Sequence, residues 1–336
     1  MPIELIQRPL FTKFKFEIVT QNGGLETDMR KSKTGGIIIA ASIKKARPML
    51  QLGAIPIVKR IVLTFQQAGV FPIVVITGTQ EDEVRHELSE QGVIFLKNEN
   101  CEDASIFDSL KIGLSYLQDK CSHIAIAPVN SPMFSPETLK ILLNTVGEVA
   151  IPVYKEKAGF PIHIATSMIP DIMEYKGQEE FIGAIHSLSE HHVRVDVEDE
   201  GVIQDIYDYE QLQTLLEKHN RSLLQAPVGL SIEKETVFFD NRTKLLLYLI
   251  SETRSVSKAC ELMSMSYAKA WKVLNKLEFE LDYRIIHRRQ GGTREGRTFL
   301  TEKGMEFLQA YFEYEDSVFQ YAQAEFDRIF KEKKLI

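Results

Sequence analysis

From Gly35 to about Glu217 the chain alternates two kinds of segment that cannot exchange places. "GGIIIAAS", "FPIVVITG", "VIFLKN" and "HIAIAPVN" are short, continuous apolar runs bounded by glycine or polar residues. Runs of this kind suit strands buried on both faces of a parallel sheet. Between them lie "PIVKRIVLTFQQAGV", "EDEVRHELSEQG", "DASIFDSLKIGLSYLQDK" and "SPETLKILLNTV", whose apolar residues recur at helical spacing. Ser135 is placed to cap the last of these, and Gly69 stands at the end of the first. "VAIPVYKEKAGFPIHIAT" reads as two strands around a turn, and residues 192–219 as a strand, a turn, a short strand and a helix. Strand–helix alternation demands a doubly wound, mainly parallel α/β sheet, with any ligand at the carboxyl ends of its strands. This body is expected over residues 35–218, and residues 1–34 form a segment of unassigned role.

A polar stretch, 219–235, reads as a linker, and a different pattern follows over 236–336. "SVSKACELMSMSYAKAWKVLNKLE" describes two short helices joined by a tight turn. Ser255 or Ser257 caps the first, Ala259 allows close packing, Met265 closes the turn and Ser266 caps the second. Ala270, Val273, Leu274 and Leu277, with Trp271, are expected to face a core. "RIIHRRQGGTREGRTFLT" then reads as a β-hairpin with a basic, glycine-rich tip. Two helices and a basic hairpin in this order describe a winged helix-turn-helix, a module for reading double-stranded DNA. Ser266, Tyr267 and Lys269 fall in the first turn of the second helix, where base edges are met. Lys272 lies further along, within reach of phosphate, and Lys276 beyond it is expected on a solvated face. Arg288, Arg289, Arg294 and Arg297 surround the Gly291-Gly292 turn, suited to phosphate or a narrow minor groove. The tail, from Gly304, is one long amphipathic helix. Its stripe of Phe307, Tyr311, Tyr314, Val318 and Tyr321 fits a core or a homodimer seam, and two copies suit two DNA half-sites.

Charge separates the two parts. Residues 257–303 carry ten Lys/Arg against six Asp/Glu, a local +4, leaving −11 for the rest of a chain whose net charge is −7. A basic module on an acidic body suits a nucleic-acid binder. The 336 residues, 44% hydrophobic and 26% charged, suit two or three soluble domains. No run is long enough for a membrane span and no leader pattern opens the chain, so a cytoplasmic protein is expected. Cys101, Cys121 and Cys260 are odd in number and have no C-x-x-C spacing, which suits a reducing compartment and argues against a disulfide framework or zinc site.

The order of fragments in the body resembles the MobA-like nucleotidyltransferases, which transfer a nucleotidyl group to molybdopterin or a related acceptor. The fragments are the glycine-flanked first strand, "PMLQLGAIPIVKRIV", "SLKIGL", "SPMFSPETL", "GFPIHI" and "GVIQDIYDYEQL". The resemblance also defines departures. A family member cradles triphosphate with a glycine-rich loop carrying Arg and Lys. Here Ser42 takes a glycine position and the loop is short, although Lys44, Lys45 and Arg47 keep positive charge. The family's magnesium ligand in G-D-x-P falls on Asn130, and a later Asp falls on Tyr207, between Asp205 and Asp208. Ser109, Gly159 and His163 match the family's acceptor side. The resemblance therefore implies a pocket formed by Ser42, Lys45, Arg47, Ser109, Asn130, Gly159 and His163 that binds a small molecule or nucleotide. No catalytic residue is named, and no cofactor is expected to be required.

The C-terminal part resembles the winged helix-turn-helix of ModE-type molybdate regulators and, more distantly, of the LysR family, with Gly291, Gly292 and Gly296 in the wing. Together the resemblances imply a transcription regulator, acting as a dimer, whose nucleotidyltransferase-like domain senses a ligand related to molybdenum cofactor. The alternative is a magnesium-dependent molybdopterin nucleotidyltransferase with an autoregulatory DNA-binding domain.

Overall fold

A computed structural model describes residues 34–41, 47–101, 105–177, 180–207, 209–223, 229–289 and 297–333. The expected N-terminal segment, Ser42, Lys44, Lys45, Asp208, Arg294 and the three wing glycines lie outside them.

Strand β1 (Thr34–Ile39) opens the body, followed by a small β2–β3 hairpin (Gln51–Leu52, Ile55–Pro56) and helix α1 (Ile57–Gln67). Then come β4 (Ile73–Thr77), α2 (Glu81–Glu87), β5 (Ile94–Lys97), α3 (Ile106–Leu117), β6 (His123–Pro128) and α4 (Pro136–Leu143). Next are β7 (Val149–Tyr154), β8 (Lys157–Ala158), β9 (Ile162–Ala165), α5 (Ile169–Glu174), α6 (Glu180–Ser187), β10 (His192–Asp196) and α7 (Tyr209–Ser222). The sheet runs β10-β7-β9-β6-β1-β4-β5, with β8 paired to β7. Its pairs are parallel except around β8 and β9, β9 lying antiparallel between β6 and β7. The result is a mixed α/β body around a mostly parallel sheet.

Side-chain alternation on β1 builds both faces. Ile37 and Ile39 join Leu110, Leu114 and Leu117 of α3 and Phe181 of α6 on one side. Ile38 joins Ile57, Ile61 and Phe65 of α1 and Leu212 of α7 on the other. Gly113 lets α3 close on β1, since a Cβ there would stand 2.9 Å from Ile37. Because β1 has β4 on one side and β6 on the other, the chain reverses direction of winding beside it. The topological switch point, where folds of this kind take their ligands, therefore lies at the carboxyl ends of β1 and β6.

Several boundaries differ from the sequence reading. Helices α5 and α6 were not expected between β9 and β10. The short strand expected after β10 is a 3-10 turn, Glu200–Ile203, capped where Asp199 Oδ1 accepts from Gly201 N. A Cβ on Gly201 would stand 1.9 Å from Met133 O, so the close approach requires glycine. At the expected linker, 219–235, α7 continues to Ser222 and a short strand, β11 (Ile232–Glu233), pairs with β12 (Val237–Phe239).

After β12 come three helices, α8 (Asn241–Thr253), α9 (Val256–Leu262) and α10 (Tyr267–Leu281). An antiparallel pair, β13 (Ile286–Arg289) and β14 (Arg297–Leu300), and helix α11 (Glu302–Phe326) follow, and α11 runs on into a π-helical turn, Asp327–Lys331. Asp240, Ser255, Ser266 and Thr301 each cap the helix they precede through a side-chain oxygen. The stripe on α11 divides. Tyr311 is buried and Phe307 half-buried, but Tyr314 and Tyr321 are exposed. Among the described residues no helix is long and apolar enough to cross a membrane.

One buried polar tie fastens α7 to the body. Arg60, 1% exposed, donates through Nη2 to Leu52 O (2.6 Å) and through Nη1 to Asn220 Oδ1 (2.8 Å). The same Nη1 lies 3.1 Å from His219 Nδ1, and His219 Nε2 is 3.1 Å from Phe134 O. A neutral ring, accepting from Arg60 and donating to Phe134, fits both contacts. Burial first, then the Arg60 charge, pushes His219 down from 6.5 to about 4. The unfolded chain therefore takes up this proton before the native one as pH falls. Stability is full above 6.5 and declines toward 4, by on the order of 3 kcal/mol from this group. Urea unfolding across that interval is expected to show the decline, and His219→Gln, which keeps one donor and one acceptor, is expected to flatten it.

Candidate functional site

Two regions collect the residues singled out in the sequence. The first is the switch point beside β1. Asn130 follows β6 and is 8% exposed. Its backbone carbonyl accepts from Ile206 N at 2.9 Å, which docks the segment 205–207 against the end of β6. Tyr207, 58% exposed, shares that segment, and its N–H donates to Asp205 Oδ1 at 3.1 Å. Desolvation and then the Asp205 carboxylate push the Tyr207 phenol up, while Arg47 draws it down. Arg47, Asn130, Asp205 and Tyr207 are thus gathered in one place although they are distant in sequence.

The other expected ligand residues are held elsewhere by the fold. Ser109 is 1% exposed; its hydroxyl donates to Ala41 O (3.2 Å) and accepts from Asn98 Nδ2 (2.9 Å). It ties α3 to the carboxyl end of β1 and does not face the switch point as a free group. Gly159 is a packing glycine: a Cβ there would stand 2.1 Å from Val202 O. His163 lies in β9 opposite Ala125 and Ala150, within the sheet rather than beside Asn130. It is 2% exposed and stacks on His123 at 5.0 Å. Burial, with His123 second, pushes it down to about 4. These three therefore correct the sequence reading: burial, not ligand contact, accounts for them.

A divalent metal does not fit the positions that would hold it. Asn130 Oδ1 is shielded from solvent and has no hydrogen-bond partner, and a neutral amide is a poor magnesium ligand beside a carboxylate. Tyr207 supplies no carboxylate, and among the described residues no group of three His, Cys, Asp or Glu is placed to hold a metal.

The second region is formed by α9, α10 and the β13–β14 hairpin. Ser264 lies in the left-handed region (φ 52°), which turns the chain sharply between α9 and α10. Met265 is buried behind that turn, its N–H bonded to Cys260 O. Ser266 then accepts from Lys269 N at 3.3 Å. Ala270, Leu274 and Leu277 face the core, with Val273 and Trp271 half-buried. Ser266, Tyr267, Lys269 and Lys272 are exposed. Lys276 is engaged otherwise: it donates to Thr236 Oγ1 and Val237 O, both at 2.6 Å, pinning β12. Arg288 and Arg289 lie on β13, and Arg289 pairs in register with exposed Arg297 of β14.

Three contributors carry no legible sequence signal. Glu278 Oε1 accepts from Ile285 N (2.9 Å) and Ile286 N (3.2 Å) and so fixes the hairpin on α10. Gly304 lets α11 begin against the hairpin, since a Cβ would stand 2.5 Å from Ile285 O. Arg254, at φ 55° on the corner between α8 and α9, accepts through its carbonyl from Thr298 N (2.9 Å), with its guanidinium 5.5 Å from the Phe299 ring centre. Arg254 thereby places another exposed cation beside the hairpin.

Residues 42–195 match the MobA-like NTP transferase domain family. The chain is also 30% identical over 89 residues to the transcriptional regulator ModE of Yersinia pestis. That stretch is 26% of this chain and 34% of the regulator, so the chain spans about a third of that relative's length. Among solved structures, a nucleotidyl transferase from Methanothermobacter thermautotroptrophicus shares 18% identity with a TM-score of 0.48, covering 55% of this chain and 98% of that one. Rv0371c from Mycobacterium tuberculosis H37Rv shares 18% with a TM-score of 0.46, covering 55% and 98%.

The shielding of Asn130 makes its substitution informative. Asn130→Asp places a carboxylate where the carbonyl oxygen has no donor, and a loss of about 1–3 kcal/mol is expected. Thermal unfolding is expected to show the same loss with and without Mg²⁺; recovery by Mg²⁺ would mean that a metal site is present after all.

Proposed function

We propose that this protein is a DNA-binding transcription regulator whose nucleotidyltransferase-like body senses a small ligand. The observation that carries the reading is the constellation at α10. A Ser-capped helix presents Tyr267, Lys269 and Lys272 to solvent beside a hairpin bearing Arg288, Arg289 and Arg297. We read α9, the turn at Ser264 and α10 as a helix-turn-helix and β13–β14 as its wing. α10 is then the recognition helix, its first turn meeting base edges and Lys272 meeting phosphate. The match to a ModE regulator supports the same assignment. Binding as a homodimer would present two such helices to two half-sites, and the exposed Tyr314 and Tyr321 of α11 offer a surface for a second copy.

The switch point supports sensing over transfer. It keeps Arg47 for an anion and the Asn130–Tyr207 segment for polar contacts, and among the described residues no group of three His, Cys, Asp or Glu is placed to hold a metal. By association with the MobA-like and ModE families, the ligand is related to molybdenum cofactor or its nucleotide, and no cofactor is needed. The transferase alternative rests on the family match of residues 42–195 and predicts turnover of CTP or GTP with a pterin acceptor. Asn130→Asp combined with Tyr207→Asp tests it: activity already present in the unaltered protein would overturn the sensor reading.

For the DNA reading, anisotropy titrations with duplex at several salt concentrations are decisive. Lys272→Ala is expected to weaken binding to all sequences alike and to lower the slope of log K against log salt by about one. Tyr267→Ala is expected to reduce discrimination between sequences while leaving the slope unchanged. Variants that bind like the parent would contradict the assignment of α10.

A further inference from the structure

We infer that Arg85 is the positioning residue through which the α/β body holds the turn of the DNA reader, so that the presentation of α10 is set by the body. The inference rests on the reading of α9–α10 as a DNA-binding element.

The geometry runs from one end of the body to the other. Helices α2 and α3 both begin at the switch-point end of the sheet. Glu81 N bonds to Gly78 O at 3.1 Å, and a Cβ on Gly78 would touch Ala41. Ser109 of α3 bonds to Ala41 O, as described above. Their far ends meet the C-terminal elements. Arg85 Nη1 donates to Ser264 Oγ at 2.7 Å and to Glu261 O at 3.2 Å. Just beyond α2, Glu90 pairs with Arg242 of α8, and just beyond α3, Lys120 lies 3.5 Å from Glu252. Both helices therefore span the distance between that end and the reader.

Arg85 differs from the other two contacts in what it holds. Glu90 and Lys120 grip α8, which supports the reader. Arg85 grips the turn itself, at a non-glycine residue in left-handed backbone, two residues before the cap of α10. Such a conformation persists where surrounding contacts over-determine it. Arg85 is itself fixed from the body side. Its Nε donates to Glu81 Oε1 at 2.6 Å, its guanidinium lies 5.0 Å from the Phe95 ring centre, and Glu81 also holds Lys97 at 3.4 Å. A guanidinium placed by a carboxylate and a ring, aimed at a carbonyl and a hydroxyl, has little freedom to move independently of α2. A change at the carboxyl ends of β1 and β4 is therefore delivered to the turn through α2.

Hydrogen–deuterium exchange over residues 261–269, paired with duplex anisotropy on the full chain, tests the inference. Arg85→Ala is expected to raise exchange of the turn amides and to weaken duplex binding, each about tenfold, the effect of losing one charge-assisted hydrogen bond. Arg85→Lys, which can still donate to Ser264, is expected to recover most of both. Lys120→Ala, which loosens the same interface without touching the turn, is expected to change neither. Unchanged exchange in Arg85→Ala, no recovery in Arg85→Lys, or an equal effect from Lys120→Ala would overturn the positioning role. If exchange responds as expected but the unaltered chain binds no duplex, the hold on the turn stands and the DNA reading falls.

Discussion

The rest of the molecule depends on the apolar seam at Phe71. This ring lies edge-on to Tyr248 of α8 at 5.1 Å and tilted against Phe312 of α11 at 5.3 Å. Lys244, its ammonium 5.1 Å from the Phe71 ring centre, also bonds both oxygens of Glu315 at 2.7 Å. The core on the α3 face of the sheet continues through this seam into Leu246, Ile250 and Leu308 without interruption. Aromatic packing of this kind is worth roughly 0.5–1.5 kcal/mol per pair beyond area burial, and burial of the rings adds more. An acidic body and a basic module would otherwise be free to move on a tether. Packed this way, the two parts share one apolar core.

Within that frame the carboxyl ends of β1 and β4 and the C-terminal helices lie at opposite ends of α2 and α3. A shielded amide stands at Asn130 and a phenol at Tyr207, while the sheet and its helices keep their packing.

Much of this was legible in the chain because it depends on local pattern. Buried strands announce themselves as apolar runs, and Ser135, Ser255 and Ser266 announce helix starts by chemistry that acts within three residues. The turn and the exposed face of α10 follow from the same spacing. What escaped the sequence depends on contacts between distant residues. α5 and α6 are too short for periodicity to show. β9 reads as one of two strands around a turn, but its place between β6 and β7 is set only in the finished sheet. Ser109 and His163 match a family pattern, yet their burial, which decides their role, is set by α3 and by His123. Arg60, Arg85 and Glu278 look like ordinary surface charges in the sequence, and only the fold shows each one bonded across a long separation. Conversely, Lys276 has the spacing of a solvated side chain and is turned instead to β12.

The most direct test of the central claim is selection of duplexes from a random library by the full-length protein, followed by sequencing. A regulator that reads DNA through α10 as a dimer predicts one enriched motif made of two related half-sites, lost in the Tyr267→Ala protein. Recovery of no motif above the unselected library would contradict it and leave the C-terminal helices without a sequence to read.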